Sequence, residues 1–268
     1  MSALQVDNLF KNYAGVQALK GLSFEVAPGE CVALIGPNGA GKSTCFACLA
    51  GQQLPTQGHV RWQGESLDGL TATQRLQRGV ARTFQVAQTF DALTVLQNIQ
   101  LVCRDSSSGL AQTVGLGLRR LDHVARLAAT ELADSVGLKN SVHLWAGELP
   151  YGAKKRLELA MALAGLPPHQ PGLLLLDEPA AGLGAQERSA MMALVRSVMA
   201  SLTQQVTVLY TEHNMDAVFG VADRVLVLID GELAAQGTPE SIAENVLVRQ
   251  RYLGQHFQVP LSAGVQHA

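Results

Sequence analysis

The 268 residues carry 20 Lys and Arg against 22 Asp and Glu, a formal net charge of -2 with an isoelectric point near 6.4, and no block of basic residues offers the electrostatic footprint that nucleic acid requires. Hydrophobic residues make up 47%, which excludes a disordered chain, yet no apolar run reaches the roughly 18 to 20 residues that cross a bilayer. Charged residues are only 16% against about 25% in an ordinary soluble domain, so either part of the surface is hidden against other subunits or the chain is simply rich in Ala and Leu. The length fits one large α/β domain or two modest ones. Asp7, Asn8, Lys11 and Asn12 interrupt the first twenty residues, so no secretory signal is expected and the chain is expected to stay in the cytosol. Of Cys31, Cys45, Cys48 and Cys103, only Cys45 and Cys48 have metal-ligand spacing and no second pair completes a zinc site, so reduced, packed thiols are expected.

In chain order, the opening is β-rich: Leu4 to Leu9, Leu19 to Val26, a Pro28-Gly29 turn, then the apolar run Cys31 to Ile35, short and bounded by glycine as a buried strand should be. A helix is expected over Lys42 to Ala50. The middle third, about Val86 to Leu149, lacks strand runs and carries helix-like stretches at Val95 to Val102 and Leu118 to Val136 around the loose Ser106-Ser107-Ser108-Gly109, so it reads as a helical insertion. Helix Ala153 to Leu163, strand Leu173 to Leu176, helix Gln186 to Met199 and strand Val206 to Tyr210 follow. Strand Arg224 to Ile229 then turns at Asp230-Gly231 into Glu232 to Ala235. Strands alternating with helices imply a largely parallel sheet covered on both faces. The polar tail after Gly254 is expected to be poorly ordered.

Directly after the strand ending at Ile35 comes GPNGAGKS: Gly36, Pro37, Asn38, Gly39, Ala40, Gly41, Lys42 and Ser43, then Thr44 and helix-forming sequence. This is the strand, G-x-x-x-x-G-K-[ST], helix signature of a phosphate-binding P-loop. Its glycines let successive amides curl inward, and the helix start adds the positive end of its dipole. Polyphosphate would sit there, with Lys42 reaching the β and γ phosphates and the Ser43 hydroxyl on Mg²⁺. Downstream, Asp177 and Glu178 end a buried strand, on the side of an open α/β sheet where ligands bind. Asp177 is placed as the Walker B group beside the hydrated Mg²⁺. Glu178, facing the other way if strand geometry continues, suits a general base orienting the attacking water.

With these motifs the chain resembles an ATP-binding-cassette ATPase over nearly its whole length. The resemblance implies an α/β P-loop ABC ATPase fold: a mainly parallel core sheet, an N-terminal antiparallel β region and a helical insertion. It places one ATPase domain over 4–253, with the core and β region at about 4–85 and 160–245, the helical subdomain at about 86–159, and a C-terminal tail at 254–268. It further implies that Tyr13 stacks on adenine, that Gln85 contacts Mg²⁺ or the water and links the site to the insertion, and that His213 contacts the γ phosphate. Leu149, Pro150, Tyr151, Gly152 and Ala153 lie where the family's LSGGQ signature belongs. There Pro150 replaces the serine, and Gly184 stands where an aspartate is usual in the loop after Walker B. Pro150 is tolerated at a helix's first turn, so Gly152 and the neighbouring amides are expected to face a phosphate held by a facing subunit.

The signature tyrosine, the Pro179 to Leu183 run, and Gly237-Thr238-Pro239-Glu240 with Arg251-Tyr252-Leu253-Gly254 are similar to the ATP-binding subunits of branched-chain amino-acid importers. Importers for urea and short amides, and lipopolysaccharide-export ATPases, share several of these features. The resemblance implies ATP and Mg²⁺, a second ABC ATPase subunit, two transmembrane permease subunits and, indirectly, a periplasmic solute-binding protein. The chain would then sit peripherally on the cytoplasmic face of the bacterial inner membrane. The stretch from Val86 to Asn98, with Phe90, Leu93, Val95 and Leu96, is expected either to receive a helix from a membrane subunit or to be the insertion's own core.

Overall fold

A computed structural model describes residues 2–83, 88–103, 117–202 and 204–254, with side chains of the helix that begins at Gly117 described from residue 123. The Ser106 to Gly109 linker and the tail beyond Gly254 lie outside the described residues.

The strands run β1 (Leu4–Tyr13), β2 (Val16–Val26), β3 (Cys31–Ile35), β4 (Gln57–Trp62), β5 (Glu65–Ser66), β6 (Val80–Arg82), β7 (Gly172–Asp177), β8 (Val206–Thr211), β9 (Arg224–Ile229) and β10 (Glu232–Gly237). The α-helices longer than three residues are, among the described residues, α1 (Lys42–Leu49), α2 (Ala72–Gln77), α3 (Val95–Val102), α4 (Gly117–Ser135), α5 (Tyr151–Ala164), α6 (Ala185–Ser201), α7 (Met215–Phe219) and α8 (Pro239–Glu244). Among the described residues the strands form two sheets. The first, in the order β2-β1-β4-β5, is antiparallel throughout. The second, β10-β9-β3-β8-β7-β6, is parallel from β9 to β6, and β10 closes on β9 as an antiparallel hairpin.

Every residue of β3, β7 and β8 is buried, which is why these strands read as unbroken apolar runs. Alternate residues serve two cores. Ala33, Ile35, Leu174, Leu176, Val208 and Val227 pack with α5 and α6, whereas Val32, Leu34, Leu173, Leu175, Leu209 and Leu226 pack with α1 and the antiparallel sheet. A bond from the Glu30 amide to the Ala27 carbonyl closes the Pro28-Gly29 turn, where Gly29 has φ +74°. Asp230 and Gly231 both have positive φ, as the two-residue hairpin turn demands.

Helices α3, α4 and α5 pack against one another. Thr94 caps α3 in a reciprocal box with Gln97, and Thr71 does the same for α2 with Gln74. Short elements added to the sequence reading include β4, β5, β6, α2, α7 and α8. Val60 and Trp62 point inward from β4 with the exposed Arg61 between them, while β6 is only three residues long.

Candidate functional site

Strand β3 delivers the chain into the P-loop at the carboxyl edge of the parallel sheet. The loop presses so closely on its neighbours that a Cβ at Gly36 would stand 2.0 Å from the Leu228 carbonyl oxygen, and one at Gly41 2.6 Å from that of Ala18. Both glycines have positive φ, so only glycine permits this path. The first intrahelical bond of α1 runs from the Cys45 amide to the Gly41 carbonyl, so the amides of Lys42, Ser43 and Thr44 precede it at the positive end of the helix. Lys42 folds across the loop, its Nζ donating to the Gly36 carbonyl at 2.7 Å and the Pro37 carbonyl at 3.0 Å. Burial lowers the Lys42 pKa, against the pull of the Glu178 and Asp177 carboxylates, which are therefore part of the same electrostatic neighbourhood.

Asp177 ends β7 with both carboxylate oxygens engaged: Oδ1 accepts from the Thr211 hydroxyl at 2.9 Å and Oδ2 from Arg82 at 2.6 Å. Glu178 does not continue the strand. Its φ of +49° turns the backbone out of β conformation, and its amide donates to the Thr211 hydroxyl oxygen at 3.0 Å. The turn brings the Glu178 carboxylate to the His213 ring, Oε1 to Nε2, at 2.8 Å. Thus the simple alternation of faces expected for Asp177 and Glu178 gives way to a strained turn held by Thr211. Glu212, almost fully buried, accepts from the Ala180 amide at 3.1 Å and the His213 amide at 3.2 Å, tying together the loops that follow β7 and β8. Burial raises the Glu212 pKa, opposed by those amides and that of Asn214.

Arg82, Thr211 and Glu212 were not among the residues singled out from sequence, although Thr211 and Glu212 immediately precede His213. Tyr252, in the last described turn, is half-buried. Its hydroxyl is raised in pKa by burial and eased back by the Gly36 backbone, so the C-terminal segment returns to the P-loop entrance.

Tyr13 lies exposed at the end of β1, with the Lys11 ammonium 4.9 Å from its ring centre. Gln85 lies outside the described residues. In the signature segment Pro150 is the N-cap of α5 rather than a residue of its first turn. Its carbonyl accepts from the amides of Ala153 and Lys154, which leaves the Tyr151 and Gly152 amides ahead of the first helical bond. Leu149 and Ala153 are buried. Tyr151 lies over Gly182, where a Cβ would stand 2.9 Å from the ring, and Gly152 faces Leu183 and Glu187. The signature therefore packs on the Gly182 to Glu187 segment of its own chain. Gly184 caps α6, its amide donating to Glu187 at 3.2 Å.

Of the apolar residues considered for a docking surface, Val95 and Leu96 belong to the core and Leu93 is half-buried. Phe90 is 51% exposed. With Arg82, Gln88, Leu101, Glu158 and Met161 it lines a cavity of about 870 Å³. The buried Asn98 amide binds the Phe90 carbonyl and amide and the Leu93 and Thr94 carbonyls, fixing the turn that carries Phe90. No described helix is long and apolar enough to cross a membrane.

The ABC transporter family matches residues 19–181, more than half of the chain. The chain is 37% identical over 258 residues to the high-affinity branched-chain amino acid transport ATP-binding protein LivG of Escherichia coli K12, covering 94% of this chain and 98% of LivG. It is 32% identical over 256 residues to the lipopolysaccharide export system ATP-binding protein LptB of Acidithiobacillus ferridurans, covering 96% and 98%. The ADP conformation of an ATP-binding cassette of an ABC transporter superposes with a TM-score of 0.79 at 25% identity, covering 95% of this chain and all of that one. With the P-loop, the acidic strand end and the histidine gathered at one sheet edge, and these relatives along nearly its whole length, the chain belongs to the ATP-hydrolysing subunits of the ABC transporter family.

Proposed function

We propose that this chain is the ATPase subunit of an importer for branched-chain amino acids or a related small solute, working at the cytoplasmic face of the bacterial inner membrane. The observation that carries this reading is the 37% identity to LivG along nearly the full length of both proteins, against 32% to the export subunit LptB. Its partners would be a second ABC ATPase subunit, two permease subunits and, through them, a periplasmic solute-binding protein. The ATPase domain would span 4–253, with the core and β region at about 4–85 and 160–245, the helical subdomain at about 86–159, and 254–268 as a tail.

In this reading the amides from Gly36 to Thr44 cradle the phosphates and Lys42 leaves the loop carbonyls for the β and γ oxygens, while Tyr13 carries the adenine. Mg²⁺ prefers few protein ligands together with phosphate oxygens and water. One hydroxyl, Ser43, on the P-loop helix and one carboxylate, Asp177, in the electrostatic neighbourhood of Lys42 fit that preference, and Gln85 would join them. The cation would supply charge neutralisation between the phosphates. Glu178 orients and deprotonates the attacking water, and His213, already bonded to Glu178, holds that carboxylate and reaches the γ phosphate. Leu149 to Ala153 would complete the nucleotide site of the facing subunit. The cavity beside Phe90 would accept a helix from a permease subunit.

Energised membrane vesicles carrying the assembled transporter test the proposal. ATP-dependent uptake of labelled leucine, lost with Glu178→Gln, is expected. Uptake of urea or acetamide but not leucine would reassign the solute, and outward movement of a lipid would reject import.

A further inference from the structure

Asp177 is held by two side chains of its own chain, Arg82 and Thr211. The Arg82 guanidinium and the Asp177 carboxylate are 11% and 10% exposed, and their 2.6 Å bond is of the strong, charge-assisted kind. With Thr211 on the other oxygen, the carboxylate has already committed lone pairs that a hydrated cation would use. Arg82 closes β6 opposite Leu175 of β7, two positions before Asp177, so the sheet register aims it at the strand end. The same guanidinium donates to Gln52, just beyond α1, and lies 5.9 Å from the ring centre of Phe46 within α1. Next to it, the Thr83 hydroxyl accepts from the Asp177 amide at 3.3 Å. Arg82 also lines the cavity that Phe90 and Gln88 border. One side chain thus touches the acidic strand end, the helix rising from the P-loop, and the cavity wall.

We propose that Arg82 is a positioning residue that stands in for the divalent cation, holding Asp177 until Mg²⁺ and nucleotide arrive together and then giving up the carboxylate to the metal shell. A guanidinium and a dication on one carboxylate repel each other, so gaining the metal loosens Arg82. Because Arg82 forms part of the cavity wall, that exchange carries metal occupancy to the cavity. The inference rests on the nucleotide site proposed above.

The test uses the full chain, with ADP titrated calorimetrically in EDTA and at rising Mg²⁺, for the parent, Arg82→Ala and Arg82→Gln. Both variants are expected to bind ADP in EDTA within about twofold of the parent. Without the competing cation, the Mg²⁺ midpoint for the ADP complex should fall roughly tenfold, the worth of one charge-assisted hydrogen bond. Hydrogen exchange in peptides covering β6 and Gln88 to Phe90 should change when Mg²⁺ joins the parent's ADP complex and stay constant in the variants. A midpoint that is unchanged or higher in folded Arg82→Gln overturns the proposal while leaving the nucleotide site intact. Failure of the parent to bind ADP overturns both. If neither variant folds, the parent decides: exchange over β6 and Gln88 to Phe90 that ignores Mg²⁺ overturns the proposal.

Discussion

The Glu178 carboxylate and the His213 imidazole meet at 2.8 Å across the ends of two adjacent parallel strands, β7 and β8. The contact depends on backbone strain, since Glu178 reaches His213 only by leaving β conformation at φ +49°. Thr211 holds that turn by bonding both Asp177 and the Glu178 amide. Such strain is frequent at functional sites, which accords with the role proposed for Glu178. Replacing Glu178 with Gln keeps the shape and removes the proposed base, so nucleotide binding is expected to persist while turnover falls by about 10² to 10⁴. Lys42→Ala, which removes the proposed phosphate contact, should lose binding itself. Phosphate release from the assembled transporter, alongside equilibrium nucleotide binding, separates the two; a parental rate in Glu178→Gln would refute the role given to it.

Arg75 offers a test of what anchors the helix behind the P-loop. It is fully buried, and at the end of α1 it donates to the Cys48 carbonyl at 2.7 Å, which also accepts from the Gly51 amide, and to the Leu49 carbonyl at 2.9 Å. Burial lowers its pKa, so keeping the charge inside has a cost of its own. Removing the side chain takes the side-chain donor from the buried Leu49 carbonyl, at about 1 to 3 kcal/mol, and this outweighs relief of the buried charge. Arg75→Met is therefore expected to lose roughly 2 kcal/mol, read as a lower urea midpoint with an unchanged slope. A midpoint equal to the parent's would mean that the Leu49 carbonyl finds another partner.

Legibility in the sequence followed locality. The P-loop and the acidic pair lie in short contiguous runs whose neighbours in sequence are their neighbours in space, so spacing alone exposed them. Arg82 and Asp177 are separated by 95 positions and Thr211 and Asp177 by 34. Only sheet register joins them, and no local pattern announces it. Strand β6 is too short to show a period, and the turn at Glu178 is imposed by its partners. The apolar stretch around Phe90 illustrates the other limit: Val95 and Leu96 face the core while Phe90 faces the cavity, a division made by helix packing and by Asn98 rather than by hydrophobicity.

Asp223 gives the fold a defined acid sensitivity. Burial pushes its carboxyl pKa up, but bonds from Arg196 and the Cys31 amide outweigh this and hold it below the usual carboxylate range. A depressed pKa means that the stabilisation is present above the unfolded value and is lost as pH falls through the folded one. Asp223→Asn should accordingly melt below the parent at pH 7, with the difference closing as the pH is lowered past the ordinary carboxylate range. Melting curves across that range check the sign; a gap that widens in acid would contradict it.

The altered signature bears on how two ATPase subunits share the work. Pro150 caps α5 without a side-chain hydroxyl, and Tyr151 is committed to Gly182 of its own chain, so the Gly152 amide and the helix start are what remain for a facing phosphate. A missing hydroxyl contact to a charged phosphate is worth roughly 1.5 to 3 kcal/mol, or about 10 to 150-fold in an equilibrium constant. In a pair with a different subunit, the site completed by this signature is expected to be the slower one, and the site carrying this chain's own Glu178 and His213 the faster. Pro150→Ser restores the hydroxyl and supplies a better helix cap for the Ala153 amide; paired with Tyr151→Gly it should speed the partner's site alone. Turnover measured with Glu178, or the partner's corresponding glutamate, replaced in one subunit at a time distinguishes the sites. Equal rates at both, unmoved by the repair, would mean that the Gly152 amide and the helix start already do what the serine does elsewhere.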